Sequence, residues 1–327
     1  MSKSQPALAP MLVLTDEQVQ SLLPLSQLIH AIGHAFREEY GKYQAPVRSK
    51  FEEGDRVTLV MPCQVDGAIG IKTILLARSP GRGPGTYCSS YTFHSLDGLV
   101  SAFFEANVMT ELRTAATSAV ATSALAPQSV DTLGIFGTGS IAKAHVAALL
   151  LVRTFAQVLV CGSTPEKSRE FAQRMQQRHA IPVIAVDAET CAVESSVICT
   201  CTTSPQPLFA GTLIRPGTHI NAVGAFTPQN RELDSDAIAR SRVVVDTFGG
   251  ALAEAGDLLV PLAEGRICRE HVVADLHGAL KDPGAIRRSA TEITLFKSVG
   301  CALEDMVAAR LLLERSSRSW TSHRNDG

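Results

Sequence analysis

The pattern of apolar and polar positions changes character near Thr132. From there on, short apolar runs of strand length alternate with longer segments of helical period. The strands expected are 132–136, 158–161, 183–186, 197–201, 219–223 and 242–247, with helical patterns between most of them. One such pattern, 165–177, opens with Pro165 at a first-turn position and Glu166 beside it, both helix-start signals. Strands and helices alternating at this spacing predict a parallel, doubly wound sheet, because parallel neighbours need crossovers and the crossover helices cover the faces.

Ahead of Thr132 the pattern is different. Residues 16–20 and 25–40 read as helices. Short apolar runs broken by Gly and Pro follow at 57–61, 70–76, 86–93 and 98–105, and predict an antiparallel sheet in an α+β layer. The Ala-rich stretch 110–125 reads as a helix leading into the second pattern. A last helical run, 304–315, lies beyond the sheet pattern and can return to the first domain, while the polar end, 316–327, is expected to fray. The expected division is 1–118 with 304–327 as one domain and 119–303 as the other. No internal repeat is visible.

At 327 residues the chain is long enough for two such domains. With 45% hydrophobic and 19% charged residues it has an ordinary soluble composition, and a formal net charge of −2 leaves no basic footprint for nucleic acid. No apolar run is long enough to span a bilayer. Lys3 is followed by a short apolar stretch interrupted by Pro6 and Pro10, so no signal peptide is expected. Of the eight cysteines only Cys199 and Cys201 lie close together, and no second Cys or His pair completes a zinc pattern. Free thiols in a reducing cytoplasm are expected, and no metal.

Candidate chemistry begins right after the run 132–136. Gly137, Gly139 and Ala142 stand at the G-x-G-x-x-A spacing and a helical pattern follows at once. Gly137 permits a tight turn, Gly139 lets backbone approach a pyrophosphate, and Ala142 lets the helix pack close to the strand. The turn residues Thr138, Ser140 and Ile141 would then present backbone N–H groups to the phosphates at a helix start. With a strand before it and a helix after it, the motif predicts dinucleotide binding.

Three cations stand out in the first domain. Arg48 follows Pro46 in an extended segment, Lys72 sits inside the apolar run 69–75, and Arg113 opens the Ala-rich helix. A lysine within an apolar strand is costly unless its ammonium meets an anion. Arginine suits a planar carboxylate through its bidentate fork. Two readings stand at this point. Either the three cations address an anionic ligand, or Lys72 lies on the solvated face of an edge strand and the arginines pair with Glu52, Glu53 or Glu111.

The motifs around these residues resemble those of the ornithine cyclodeaminase/mu-crystallin family. Arg113-Thr114-Ala115-Ala116 followed by Ser118-Ala119 is similar to one family signature, and His219-Ile220-Asn221-Ala222-Val223-Gly224 to another. Arg231-Glu232-Leu233-Asp234, Ala253-Glu254-Ala255-Gly256-Asp257-Leu258, the run from Ile293 to Gly300 and the pair Glu304-Asp305 match in order. The resemblance implies a Rossmann-type nucleotide domain, a substrate-binding and dimerisation domain completed by the last helix, and a homodimer. It implies that Arg48, Lys72 and Arg113 hold the α-carboxylate of an amino or imino acid. It also implies that Thr114, Thr202, Asn221, Val223 and Ser298 lie near the cofactor.

One departure narrows the activity. Ornithine cyclodeaminases of the family carry Asp two residues after the glycine matched by Gly224, where this chain has Phe226 in Gly224-Ala225-Phe226-Thr227-Pro228. A phenyl ring neither pairs with an ammonium nor accepts a proton, so cyclisation of ornithine or lysine is disfavoured. The Ala-Phe-Thr-Pro form resembles the family's ketimine reductases, which reduce Δ1-pyrroline-2-carboxylate and Δ1-piperideine-2-carboxylate to proline and pipecolate. Phe226 and Thr227 are then substrate-side residues; the other reading is that Phe226 points into the core.

The expected reaction is reduction of a cyclic imino acid by NAD(P)H. Lys72 and Arg113 are the catalytic candidates, and Lys72 is the candidate proton donor; a second cation close by would lower its pKa. His94 and Glu52 are weaker acid–base candidates. At the end of the second strand of the nucleotide domain, Ser163 and Thr164 stand where an acidic residue would bind the ribose of NAD. With Lys167 or Arg169 adding charge they suit a 2′-phosphate, so NADPH is favoured with NADH also accepted. The competing readings are another family activity, cyclodeaminase or alanine dehydrogenase, and a non-enzymatic NADPH-gated binding protein. Retention of the cation set and of Lys297-Ser298 argues for catalysis.

Overall fold

The structure, a computed structural model, describes residues 11–77, 86–97 and 101–325. The N-terminal stretch 1–10, where no signal peptide was expected, and positions 98–100 of an expected strand lie outside the described residues. The chain divides into two units.

One unit comprises Glu39–Arg113 with the chain up to Leu28 and from Cys301 onward. Its strands are β1 (Leu12–Leu14), β2 (Ser49–Glu53), β3 (Arg56–Val65), β4 (Ala68–Ala77), β5 (Thr86–Ser95) and β6 (Ser101–Glu105). They form a six-stranded sheet in the order β1-β6-β5-β4-β3-β2. Neighbours from β2 to β6 are antiparallel, as expected. The edge strand β1 instead runs parallel to β6, because the long connection between them is free of the constraint a hairpin imposes. Between β3 and β4 the turn is Asp66-Gly67 with both φ positive, +45° and +72°, the pair of residues a two-residue hairpin prefers.

Alternation along these strands builds two unlike faces. Leu59, Met61 and Cys63 of β3, Lys72 and Ile74 of β4, and Tyr91 and Phe93 of β5 are buried on one face. Helix α1 (Asp16–Leu22) and the C-terminal helix (Ala302–Asn325) pack within this unit, the latter against β3 and β4. Helix α1 starts at a capping box in which Thr15 and Gln18 exchange bonds. The other face exposes Val13 (57%), Phe51 (60%) and Leu75 (50%). The polar end expected to fray instead continues the helix to Asn325, since each added residue of a formed helix gains a backbone bond.

The other unit comprises Ile29–Glu38 and Thr114–Gly300. Its strands are β7 (Thr132–Phe136), β8 (Gln157–Cys161), β9 (Val183–Ala185), β10 (Val197–Thr200), β11 (His219–Ala222), β12 (Ser241–Val245), β13 (Val272–Asp275) and β14 (Ile293–Lys297). All pair in parallel, in the order β13-β12-β14-β11-β10-β7-β8-β9. The expected strands are present with small differences at their ends. β13 and β14 were not expected: both runs are short and end on a charged side chain, Asp275 and Lys297. Helix α2 (Leu25–His34) runs into a π-helical turn (Ala35–Glu39) where one long helix was expected, and Ile29–Glu38 groups with the nucleotide unit. Helix α3 (Asn107–Leu125) opens earlier than expected.

Strand order in this sheet reverses between β7 and β10. β8 and β9 follow on one side of β7, and β10 and β11 on the other. At such a reversal two loops leave in opposite directions above the carboxyl ends of the strands, which opens a crevice.

Candidate functional site

The nucleotide turn stands at that reversal. The Gly137 N–H donates to the Cys161 carbonyl at 2.8 Å, and φ at Gly137 is +113°. A Cβ there would lie 2.5 Å from the Cys201 carbonyl oxygen, so the loops after β7 and β10 leave room only for glycine. Gly139 is the N-cap of α4 (Ser140–Leu149) and carries no side-chain cap. The first N–H groups of that helix therefore have no intrahelical acceptor, and nothing lies within 4 Å of where a Gly139 Cβ would be. Open backbone donors beside an open space above a glycine fit a pyrophosphate. Ala142 is fully buried beneath the turn.

At the end of β8 stand Ser163 and Thr164, on which the expected cofactor preference rests. Thr164 caps α5 (Pro165–His179), accepting the Lys167 N–H at 3.3 Å, and Lys167 Nζ reaches Ser163 Oγ at 3.4 Å. Arg169 is engaged with Glu166 at 2.8 Å. Ser163, Thr164 and Lys167 are exposed and adjacent, whereas the Arg169 charge is shared with a carboxylate.

Along the β10 and β11 ends a buried carboxylate organises the crevice wall. Glu232 accepts four donors: Thr200 Oγ1 (2.7 Å), the Thr202 N–H (2.7 Å), Thr202 Oγ1 (2.8 Å) and the Gly224 N–H (2.7 Å). Asp257 Oδ1 in turn accepts the N–H groups of Glu232 and Leu233. Lys297 Nζ, fully buried, lies 2.8 Å from Asp257 Oδ2 and donates to the Ala225 carbonyl at 2.6 Å. Burial and the nearby Asp257 raise the Glu232 pKa against the pull of Lys297 and its hydrogen bonds. Asn221 is fully buried and donates to Thr122 Oγ1 at 2.8 Å, and Val223 is half-buried. Ser298 donates to Asp246, which also accepts the N–H groups of Val299 and Gly300. Phe226 is 36% exposed, so its ring does not point into the core. Thr227 is half-buried on the same loop.

In the sheet-and-helix unit, Lys72 and Arg113 come together. Lys72 is on the central strand β4 and fully buried, so the edge-strand reading is corrected: the ammonium faces the C-terminal helix, not solvent. Lys72 Nζ donates to Asp305 Oδ1 at 2.7 Å. Arg113 Nη1 donates to Glu304 Oε2 at 2.6 Å, and its Nε lies 3.0 Å from Asp305 Oδ1. The partners are thus Glu304 and Asp305 rather than Glu52, Glu53 or Glu111. Burial is the largest influence on Lys72 and the Arg113 charge adds to it; against Asp305 they draw its pKa down to about 8. For Arg113 burial works against the charge, but Asp305 and Glu304 outweigh it and raise the pKa.

Arg48 is half-buried just before the edge strand β2, with β3 between β2 and β4. Thr114 follows Arg113 in α3 and is half-buried. His94 is exposed on the opposite face of the sheet, 3.0 Å from Ser101 Oγ, and Glu52 is exposed and paired with Lys50 at 2.5 Å. Tyr91, the register partner of Lys72, leans its ring over Gly70, where a Cβ would lie 1.8 Å from the phenol oxygen. Glu232, Asp257, Asp246, Glu304 and Asp305 received no role from the sequence, although all but Asp246 lie in the motifs that carry the family resemblance. Among the described residues no three His, Cys, Asp or Glu side chains group as metal ligands, and no helix is long and apolar enough to cross a membrane. All eight cysteines are free.

Comparison with known proteins places this architecture. The profile of the ornithine cyclodeaminase/mu-crystallin family matches residues 10–319. A Delta(1)-pyrroline-2-carboxylate reductase of Bacillus cereus is 33% identical over 315 residues, covering 94% of this chain and 97% of that protein. The structure of the Thermococcus litoralis Delta(1)-pyrroline-2-carboxylate reductase in complex with NADH and L-proline is similar at a TM-score of 0.89 and 32% identity, covering 94% of this chain and 98% of that one. An archaeal alanine dehydrogenase dimer with bound NAD is similar at a TM-score of 0.88 and 28% identity, covering 94% and 97%.

Proposed function

This chain belongs to the ornithine cyclodeaminase/mu-crystallin family, and on that premise we propose that it is an NAD(P)H-dependent imine reductase. Its substrate is a cyclic imino acid, Δ1-pyrroline-2-carboxylate or Δ1-piperideine-2-carboxylate, and its product L-proline or L-pipecolate. The observation that carries the proposal is Lys72, a fully buried ammonium held by Asp305 with a pKa near 8. Such a group keeps its proton at neutral pH and gives it up readily. The reductase of Bacillus cereus and the proline complex of the Thermococcus litoralis enzyme support the substrate class.

In the proposed reaction Lys72 Nζ delivers a proton to the imine nitrogen as the ring carbon becomes saturated. Bound reduced nicotinamide supplies the hydride. Arg113 and Arg48 hold the carboxylate, with Arg113 kept in one orientation by Glu304 so that little rotamer freedom is lost on binding. Phe226 with Thr227 offers an apolar wall to a small ring and leaves no carboxylate for an amine, which favours imine reduction over cyclodeamination. The backbone N–H groups of Thr138, Gly139, Ser140 and Ile141 hold the pyrophosphate, with Thr114, Thr202, Asn221, Val223 and Ser298 toward the cofactor. Ser163, Thr164 and Lys167 favour NADPH, with NADH also accepted. The open sheet face bearing Val13, Phe51 and Leu75 is proposed to meet a second copy of the chain, as the dimeric archaeal relative supports.

The test is NAD(P)H oxidation followed by absorbance with five- and six-membered cyclic imino acids, beside ornithine and alanine with NAD. Turnover with an imine supports the proposal. NAD reduction by alanine alone, ammonia release from ornithine without net redox, or tight NADPH binding with no turnover would each replace it.

A further inference from the structure

Glu304 and Asp305 touch neither substrate nor cofactor in the proposed reaction, yet both carboxylates are fully buried against its cations. Their work is divided. Glu304 meets the outer nitrogen of Arg113 at 2.6 Å. Asp305 Oδ1 takes the Lys72 ammonium at 2.7 Å. The second oxygen, Asp305 Oδ2, is buried with no hydrogen-bond partner. A carboxylate serving stability alone would be satisfied at both oxygens, because a buried acceptor left unmet costs free energy. Here Oδ1 is shared between the Lys72 ammonium at 2.7 Å and Arg113 Nε at 3.0 Å, and the charge is retained.

We propose that Asp305 is a positioning residue that keeps Lys72 charged and aimed, which makes the C-terminal helix part of the active site. The inference rests on the assignment of Lys72 as proton donor. Lys72 is surrounded by few groups that can hold its charge. Arg113 on α3 repels it, and Thr110 of the same helix is neutral, 3.5 Å away. Tyr91 of β5 stays un-ionised, its pKa raised by burial, and Cys63 of β3 is pushed up to about 12 by burial and Asp305. The C-terminal helix supplies the anions, Asp305 in contact and Glu304 behind Arg113. Without Asp305, burial and the Arg113 charge act on Lys72 against the weaker pull of Glu304, and its proton is held less tightly.

The experiment compares the wild type with Asp305→Asn, Asp305→Glu and Glu304→Gln. Two readouts are taken across pH: kcat/KM for reduction of Δ1-pyrroline-2-carboxylate, and the 15N chemical shift of the Lys72 Nζ, assigned with Lys72→Arg. In Asp305→Asn both the basic limb and the Nζ titration are expected to move to acid by about one unit or more. Asp305→Glu is expected to restore the limb, and Glu304→Gln to raise KM while leaving it in place. An unmoved Nζ titration in Asp305→Asn, or an equal shift in Glu304→Gln, overturns the inference. Asp305→Ser, which is smaller, carries the same expectation where Asp305→Asn does not fold. Loss of imine turnover in the wild type would overturn the reductase reading instead, and the Nζ titration would still decide the role of Asp305.

Discussion

Glu232 and Gly224 interlock. The Gly224 N–H donates to Glu232 Oε2 at 2.7 Å, and a Cβ on Gly224 would lie 2.4 Å from Glu232 Oε1. Each carboxylate oxygen takes one backbone N–H and one threonine hydroxyl, so an amide NH2 at either place leaves a buried backbone donor unmet, while the hydroxyl can turn to accept. Glu232→Gln is therefore expected to lower stability by about 2 kcal/mol or more. Because Thr202 and Gly224 move with it, KM for the reduced cofactor is expected to rise. Denaturant unfolding with cofactor titration checks this; full stability with unchanged KM contradicts the brace.

Cofactor choice can be tested at Ser163. Its hydroxyl is 3.4 Å from Lys167 Nζ at the end of β8. Ser163→Asp places a carboxylate there, which suits the ribose hydroxyls and repels a 2′-phosphate. The ratio of kcat/KM for NADPH over NADH is expected to fall at least about tenfold, roughly 1.4 kcal/mol. An unchanged ratio would move the 2′-phosphate site elsewhere.

Arg113 makes two demands that lysine cannot meet together. Its Nη1 is 2.6 Å from Glu304 and its Nε 3.0 Å from Asp305. Arg113→Lys keeps the charge but reaches one carboxylate at a time, leaving the other buried beside a weaker partner. A loss of about 3 kcal/mol in stability is expected, with a higher KM for the imino acid. Near-wild-type behaviour would show that charge, not fork geometry, matters at this position.

Two histidines set an acid limit on the fold. His145 is lowered to about 4 by burial, and His219 to about 3 by burial with Arg287 adding to it. Both are neutral in the folded chain, while in the unfolded chain they take up protons below pH 6.5. Stability is therefore whole above that value and declines as pH falls toward the folded pKa. Each site is expected to cost about 2 kcal/mol between pH 7 and pH 5. Denaturant midpoints at the two pH values check the sign, and His145→Gln should flatten the dependence; an equal slope in that variant would remove His145 from the account.

Much of the nucleotide unit was legible in the chain. Strand runs from β7 to β12 and the turn at Gly137 are local features, set by alternation, by residue size and by a φ that only glycine adopts easily. β14 escaped because its short apolar run is broken by Thr294 and ends on Lys297. The cation layer was half legible. Lys72 announced itself as a charge in an apolar strand, but its anion lies on the C-terminal helix, and no spacing rule links positions so far apart. Phe226 was legible as a departure from family pattern, and its exposure followed only from the folded loop.

By itself the sequence determined the two kinds of layer, the dinucleotide turn and the candidate cations, because each rests on the covalent order of neighbouring residues. The tertiary structure alone decided what those cations are paired with. Burial removes water from Lys72 and Arg113, and once water is gone their proton affinities are set by whichever charges the fold brings within a few ångströms. Those charges are Glu304 and Asp305, and chain order does not foretell them.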